Sequence, residues 1–149
     1  MKIEFKISIF KEDTNATYAI PSFTEGRLSF VFDNVSIGPI DGFLLLEFAG
    51  VLKSWIDNSG SEQVKDFYYS SQDFEEDPSI TFIEENEKFQ ITCYLNGIKS
   101  FHVDKQVVYQ ACRDYIANLV KQLNVEFSFD AGPIISEMAR NKSIYKKRV

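Results

Sequence analysis

Residues 79–123 constrain this chain more than any other stretch, because three alternating runs lead directly into a long amphipathic segment. Ile80 and Phe82, then Phe89, Ile91, Cys93 and Leu95, then Phe101 and Val103 recur at every second position, the period of strands with one buried face. Glu85-Asn86-Glu87 separates the first two runs, and Asn96-Gly97 separates the second from the third. Both Asn and Gly tolerate positive φ, so Asn96-Gly97 predicts a two-residue type I′ hairpin. At Asp104 the period changes. Val108, Ala111, Cys112, Tyr115, Ile116, Leu119, Val120 and Leu123 are spaced by three and four, which predicts a helix over about 105–123 with Asp104 as its N-cap. A meander feeding a helix points to the α+β class.

The flanking chain fits that class. Ile3, Phe5, Ile7 and Ile9 alternate with Lys2, Glu4, Lys6 and Ser8, predicting a half-buried strand over 2–10. A loop broken by a short extended piece around Tyr18 leads to a second strand, with Leu28, Phe30 and Phe32 inward and Asp33-Asn34 closing it; the two strands are expected to pair antiparallel. Gly38-Pro39 reads as punctuation, and Asp41 as the N-cap of a helix over about 42–57. Leu44, Leu45, Phe48, Ala49, Val51, Leu52, Trp55 and Ile56 make its apolar stripe, with Glu47, Lys53 and Asp57 toward water and Gly60 as the stop. So broad a stripe implies burial on more than one side, and Ala49-Gly50 implies the close approach of another backbone. Residues 64–70 read as a strand, Val125, Phe127 and Phe129 as an edge strand, and Gly132-Pro133 as the opening of a short helix near 134–140. The expected architecture is two-layer α+β: a mainly antiparallel sheet packed against two long helices in a single domain over 1–140. Residues 141–149 are expected to form a basic, flexible tail.

With 149 residues, 44% hydrophobic and 15% aromatic, the chain buries a full core without metal or disulfide. Cys93 and Cys112 fall on apolar faces and read as buried thiols. The net charge of −6 is unevenly spread. Five of the 16 basic residues lie in the last ten positions with no acid among them, so the preceding 139 residues carry the other 11 against all 22 acids, a net −11. An acidic body lacks the basic face that nucleic acid or an anionic membrane requires, and favours a basic protein as partner. The opening residues alternate where a signal peptide needs an unbroken apolar core, and no run approaches the roughly 20 apolar residues of a membrane span, so the expected location is cytoplasmic.

Easily recognised catalytic constellations are missing. There is no phosphate-binding Gly-x-x-x-x-Gly-Lys-Ser/Thr loop, no Gly-x-Gly-x-x-Gly, no His-Glu-x-x-His and no Gly-x-Ser-x-Gly elbow. The single histidine, His102, has only Asp104 close by in sequence and reads as a surface or structural residue. No catalytic residue, metal ligand or cofactor is assigned. The densest charge is in residues 73–87, where Asp73, Glu75, Glu76, Asp77, Glu84, Glu85 and Glu87 supply seven acids in fifteen positions. Adjacent acids on a strand point to opposite faces, so the expectation is a charged surface for protein binding, with a carboxylate active site as the rival. Tyr68 and Tyr94 add contact area with a polar tip, as interface tyrosines do.

The alternating N-terminal strand, the Leu44-Leu45-Leu46-Glu47-Phe48 helix and the acidic band together give a chain that resembles the small cytoplasmic immunity proteins accompanying bacterial polymorphic toxins. It also resembles uncharacterised small bacterial families without an assigned activity. The first resemblance implies a non-enzymatic module that neutralises a basic toxin by covering its active surface. The acidic band would speed encounter and the aromatic residues would hold the complex. A dimerising protein that uses a free sheet edge is the alternative.

Overall fold

The computed structural model describes residues 1–12, 22–59, 66–71 and 74–140. Strands β1 (Lys2–Glu12), β2 (Ser22–Phe32) and β3 (Val35–Leu44) form one antiparallel sheet in chain order. Helix α1 (Leu45–Asn58) follows, then β4 (Phe67–Tyr69), β5 (Ile80–Glu85), β6 (Lys88–Cys93) and β7 (Lys99–Asp104) in a four-stranded meander. Helices α2 (Lys105–Phe127) and α3 (Gly132–Arg140) complete the chain. The α+β class stands, but the strands divide between two sheets and do not form a common one.

Helix α1 lies where the elements meet, packing against β2, β4, α2 and α3. Leu45, Leu46, Phe48, Ala49, Gly50, Leu52 and Trp55 are all buried, so the broad stripe does reflect burial on several sides. Aromatic rings carry most of that packing. Trp55 has Phe67, Phe82 and Phe89 within 5.5 Å and stacks on Tyr109 of α2 at 4.9 Å. Phe48 meets Phe43, Tyr69 and Tyr115 at 5.0–5.6 Å. Phe30 reaches Phe82 edge-on at 6.4 Å, and Phe32 stacks flat on Phe101 at 5.7 Å, which ties the two sheets together. One polar link runs through this core: the Tyr115 hydroxyl donates to the Leu45 carbonyl at 2.7 Å, satisfying both groups in the interior.

The departures from expectation have local causes. Strand β3 was hidden because its buried residues, Ile37, Ile40 and Phe43, fall every third position. Two register shifts against β2, at Gly26/Leu28 and Leu28/Phe30, break the two-residue period. Gly38-Pro39 thus lies inside an edge strand, where a missing N–H on the open side costs no ladder bond. The strand also delays α1. Phe43 and Leu44 still pair with Gly26 and Glu25, and Asp41 caps nothing; its carboxylate accepts from the Arg27 guanidinium. Leu44 occupies the N-cap position with no side-chain bond.

A bulge at Ser8 reverses the faces of β1, since Ile7 pairs with Gly26 and Ile9 with Glu25. Ile9 is therefore exposed and Phe10 turns inward to Phe127 and Phe129, at 4.7 and 5.1 Å. Gly26 is required there, because a Cβ would stand 2.0 Å from the Lys6 carbonyl oxygen. The expected edge strand at 125–129 is absent: Val125 and Phe127 belong to α2, which runs four residues beyond its predicted end. Ser128 then ends the helix in the left-handed conformation, φ 51°, with its amide donating to Asn124 O.

Asp104 is the N-cap residue of α2, though its side chain makes no capping bond. Asn96 and Gly97 both adopt positive φ, 58° and 95°. The ladder nevertheless ends at Cys93 and Lys99, so the connection is five residues long and not two. The reason is that Leu95 is buried and the Tyr94 amide donates to Ser79 O, drawing β6 away from β7. The predicted Gly60 stop, the start of the 64–70 strand, the extended piece at Tyr18 and the 141–149 tail lie outside the described residues.

Candidate functional site

The acidic band is split by β5, whose first four residues, 80–83, separate its two halves by about 13 Å at the usual rise per residue. Glu84 and Glu85 end the strand and are paired within the molecule. Glu84 Oε1 accepts from Lys105 Nζ at 2.9 Å, and Lys105 is largely buried, its side chain 16% exposed. The Glu84 amide donates to Asp66 Oδ1 at 2.7 Å. Glu85 Oε2 lies 2.9 Å from His102 Nε2. The partner of His102 is therefore a carboxylate from the neighbouring hairpin, not Asp104. Glu87 is exposed in the following turn, and its carbonyl accepts from the Lys105 amide, which ties the turn to the start of α2.

The other half precedes β5. Glu75, Glu76 and Asp77 are exposed on a connection that is pinned at both ends. The Ser70 hydroxyl donates to Asp77 Oδ1, the Ser79 hydroxyl to Glu76 O at 2.8 Å, and the Ser79 amide to Tyr69 O at 2.7 Å. With Tyr94 N donating to Ser79 O at 2.9 Å, this connection bridges the end of β4 to the end of β6. Among the described residues, the carboxylates of Glu75 and Glu76 make no ion pair and no hydrogen bond.

Both sequence-selected tyrosines belong to this end. Tyr68 pairs with Thr81, Thr81 with Thr92, and Tyr94 lies two residues beyond Thr92, so all four share the outer face of the meander. Tyr68 and Tyr94 are half-buried, whereas Thr81 and Thr92 are buried at 2% and 7% exposure. The accessible surface here is therefore made by the tyrosines and the acidic connection, not by the threonine row. Asp73 lies outside the described residues. Ser70 and Ser79, which hold the connection in place, were missed by the sequence reading; a lone serine beside a strand carries no signal of its partner.

The remaining polar chemistry is turned inward. Tyr69 is buried and its hydroxyl donates to Glu47 Oε1 at 3.3 Å, so Glu47 is half-buried and does not simply face water. Burial pushes the Tyr69 and Tyr115 hydroxyls well above the ordinary tyrosine range, with the Glu47 charge adding to the shift at Tyr69. Burial likewise pushes both thiols up. A thiol held protonated is a poor nucleophile, so Cys93 and Cys112 act as packing residues. No group of three or more His, Cys, Asp or Glu among the described residues is arranged to hold a metal ion. No helix among them is long and apolar enough to cross a membrane. A groove of about 560 Å³ lies elsewhere, between β1 and α2, and none of the band's acids lines it.

The molecule is thus an α+β domain with a pinned acidic connection beside two tyrosines. The chain belongs to a family defined as a domain of unknown function, DUF7878, whose model matches residues 3–125. The match takes in both sheets, α1 and most of α2, and leaves α3 outside. No curated protein and no solved structure matches the chain.

Proposed function

We propose that this protein is a non-enzymatic binding module whose partner is a basic protein, engaged through the end of the meander that carries Glu75, Glu76, Asp77, Tyr68 and Tyr94. The observation that supports this reading is the contrast within the band: Glu84 and Glu85 are paired internally, whereas Glu75 and Glu76 are exposed beside half-buried tyrosines. Charges left open at a pinned connection steer a cationic partner without first breaking an internal pair. The tyrosines supply rigid area to be desolvated on contact. An immunity-type role, covering the active surface of a basic toxin in the cytoplasm, is the specific form of binding that this chemistry suits best.

The test is capture of the products of neighbouring genes by the tagged full chain, with salt titration and charge reversal. Glu75→Lys/Glu76→Lys is expected to slow association with a basic partner and flatten its salt dependence, leaving the fold intact. Binding unchanged by that double reversal would overturn the assignment of this surface.

A further inference from the structure

Among the described residues, strand β1 is hydrogen-bonded to β2 on one side only, and its other side forms one wall of the groove beside α2. Four consecutive residues, 2–5, line that wall. Consecutive residues point to alternate faces, so the groove follows the strand's edge, where unpaired amides and carbonyls lie, and not one of its faces. The opposite wall is a single helical stripe, including Asn118, Lys121, Gln122 and Val125. Phe5 packs edge-on against Tyr115 at 5.5 Å, so α2 packs on the inner face of β1, and a sheet extended past this edge would continue over that helix.

The other edges are blunted where β1 is not. Edge strand β3 contains Pro39, two positive-φ glycines and two register shifts; β4 has only three residues; and on β7 Phe101 is committed to the stack with Phe32. By contrast, β1 runs regularly from Lys2 to Ile7 with neither Gly nor Pro. Its outward face, Lys2, Glu4 and Lys6, is exposed and alternates in sign. Lys6 sits directly opposite Arg27 of β2, whose guanidinium is taken by Asp41, and Lys6 itself makes no ion pair among the described residues.

We propose that the open edge of β1 takes β1 of a second copy of this chain, antiparallel about a two-fold axis at Phe5. The two three-stranded sheets then become one of six strands, and Glu4 of each copy opposes Lys6 of the other. Only registers that pair positions of like parity keep the apolar residues on one face. Centring on Phe5 sets Ile3 against Ile7 and Glu4 against Lys6, within the regular part of the strand and short of the bulge at Ser8. Moving the centre to Glu4 sets Glu4 against Glu4 and Lys2 against Lys6, and moving it to Lys6 sets Lys6 against Lys6. Centring on Ile3 is also complementary, setting Lys2 against Glu4, but it pairs only residues 2–4 of the strand, whereas centring on Phe5 pairs residues 3–7; charge and length of pairing together favour the Phe5 register, and Lys6→Glu separates the two. The same association would cover the α2 stripe beside the edge, where Val125 is 74% exposed.

Sedimentation equilibrium of the full chain across the micromolar range tests this. The wild type is expected to dimerise reversibly. Glu4→Lys and Lys6→Glu should each weaken the dimer by about tenfold, since each turns two attractive pairs into repulsive ones. The double variant Glu4→Lys/Lys6→Glu should restore it, because exchanging the signs keeps every pair complementary. All three changes are at exposed positions, and circular dichroism verifies that the monomer fold persists. A wild type that stays monomeric overturns the proposal, including one that captures a strand of a different protein at this edge. So does a dimer indifferent to either single reversal, or one that the double variant fails to rescue. This edge shares no residue with the acidic connection, so the outcome is independent of the binding function proposed above.

Discussion

At one end of β5, Glu84 and Glu85 sit against Lys105 and His102; at the other, Glu75 and Glu76 meet no cation among the described residues. The two ends have nearly the same composition in sequence, and β5 keeps them about 13 Å apart. The difference comes from what each end is joined to. The Glu84 end abuts the start of α2, where Lys105 is held by its amide to Glu87 O and meets the carboxylate from a largely buried position. The Glu75 end abuts serines and tyrosines, which hold the connection without neutralising it. Acidic residues counted in a sequence are thus a poor measure of the charge a partner meets; what matters is which of them the fold has already paired.

The largest effect should come from removing what holds the two ends apart. Phe82 lies midway along β5 against Phe67, Trp55 and Phe30, and is fully buried. Phe82→Ala should cost about 3–5 kcal/mol, read as a lowered denaturant midpoint with an unchanged slope, and should disturb both ends alike. Next is alkali, which charges the uncharged centre. Cys93, Cys112, Tyr69 and Tyr115 all have folded pKa values raised by burial, so the fold favours their protonated forms. Their contribution is fully present below the unfolded pKa values, about 8.5 for a thiol and about 10 for tyrosine. It is lost as pH rises past them, by up to about 1.4 kcal/mol per pH unit for each group. Urea midpoints should therefore hold level through neutral pH and fall from about pH 9, and Cys112→Ala should blunt the first part of that fall.

Smaller effects sharpen the contrast between the ends. Glu84→Gln leaves Lys105 without its carboxylate and should lower stability by at most about 1 kcal/mol, the scale of a partly exposed pair. Glu75→Gln or Glu76→Gln should change stability by less than about 0.5 kcal/mol. Thermal unfolding of the three variants side by side verifies the order; equal losses at both ends would remove the distinction.

The meander and α2 were legible because each keeps its own period without interruption, every second residue through Phe89, Ile91 and Cys93 and every third or fourth from Val108 to Leu123. What was missed lies where two constraints overlap. The buried Ile37, Ile40 and Phe43 follow a spacing set by bulges that depend on β2, and no local pattern in β3 reveals them. The alternation of Val125, Phe127 and Phe129 mimicked a strand, yet Phe127 and Phe129 are placed by Phe10, more than a hundred residues earlier in the chain. For the candidate site, the sequence supplied the acids and tyrosines but not their grouping. Pairing through His102 and Lys105, and pinning through Ser70 and Ser79, are long-range contacts that composition does not carry.

The most direct test of the central claim compares two double reversals, Glu75→Lys/Glu76→Lys and Glu84→Lys/Glu85→Lys, in capture of a basic partner at low and moderate salt. The account predicts that the wild type retains a stoichiometric basic protein at low salt and releases it as salt rises. The first reversal should weaken that retention at low salt and flatten its dependence on salt, and the second, once its fold is verified, should largely keep both. Retention unaffected by the first reversal, or lost equally in both, would contradict the claim that the open acidic end is the binding surface.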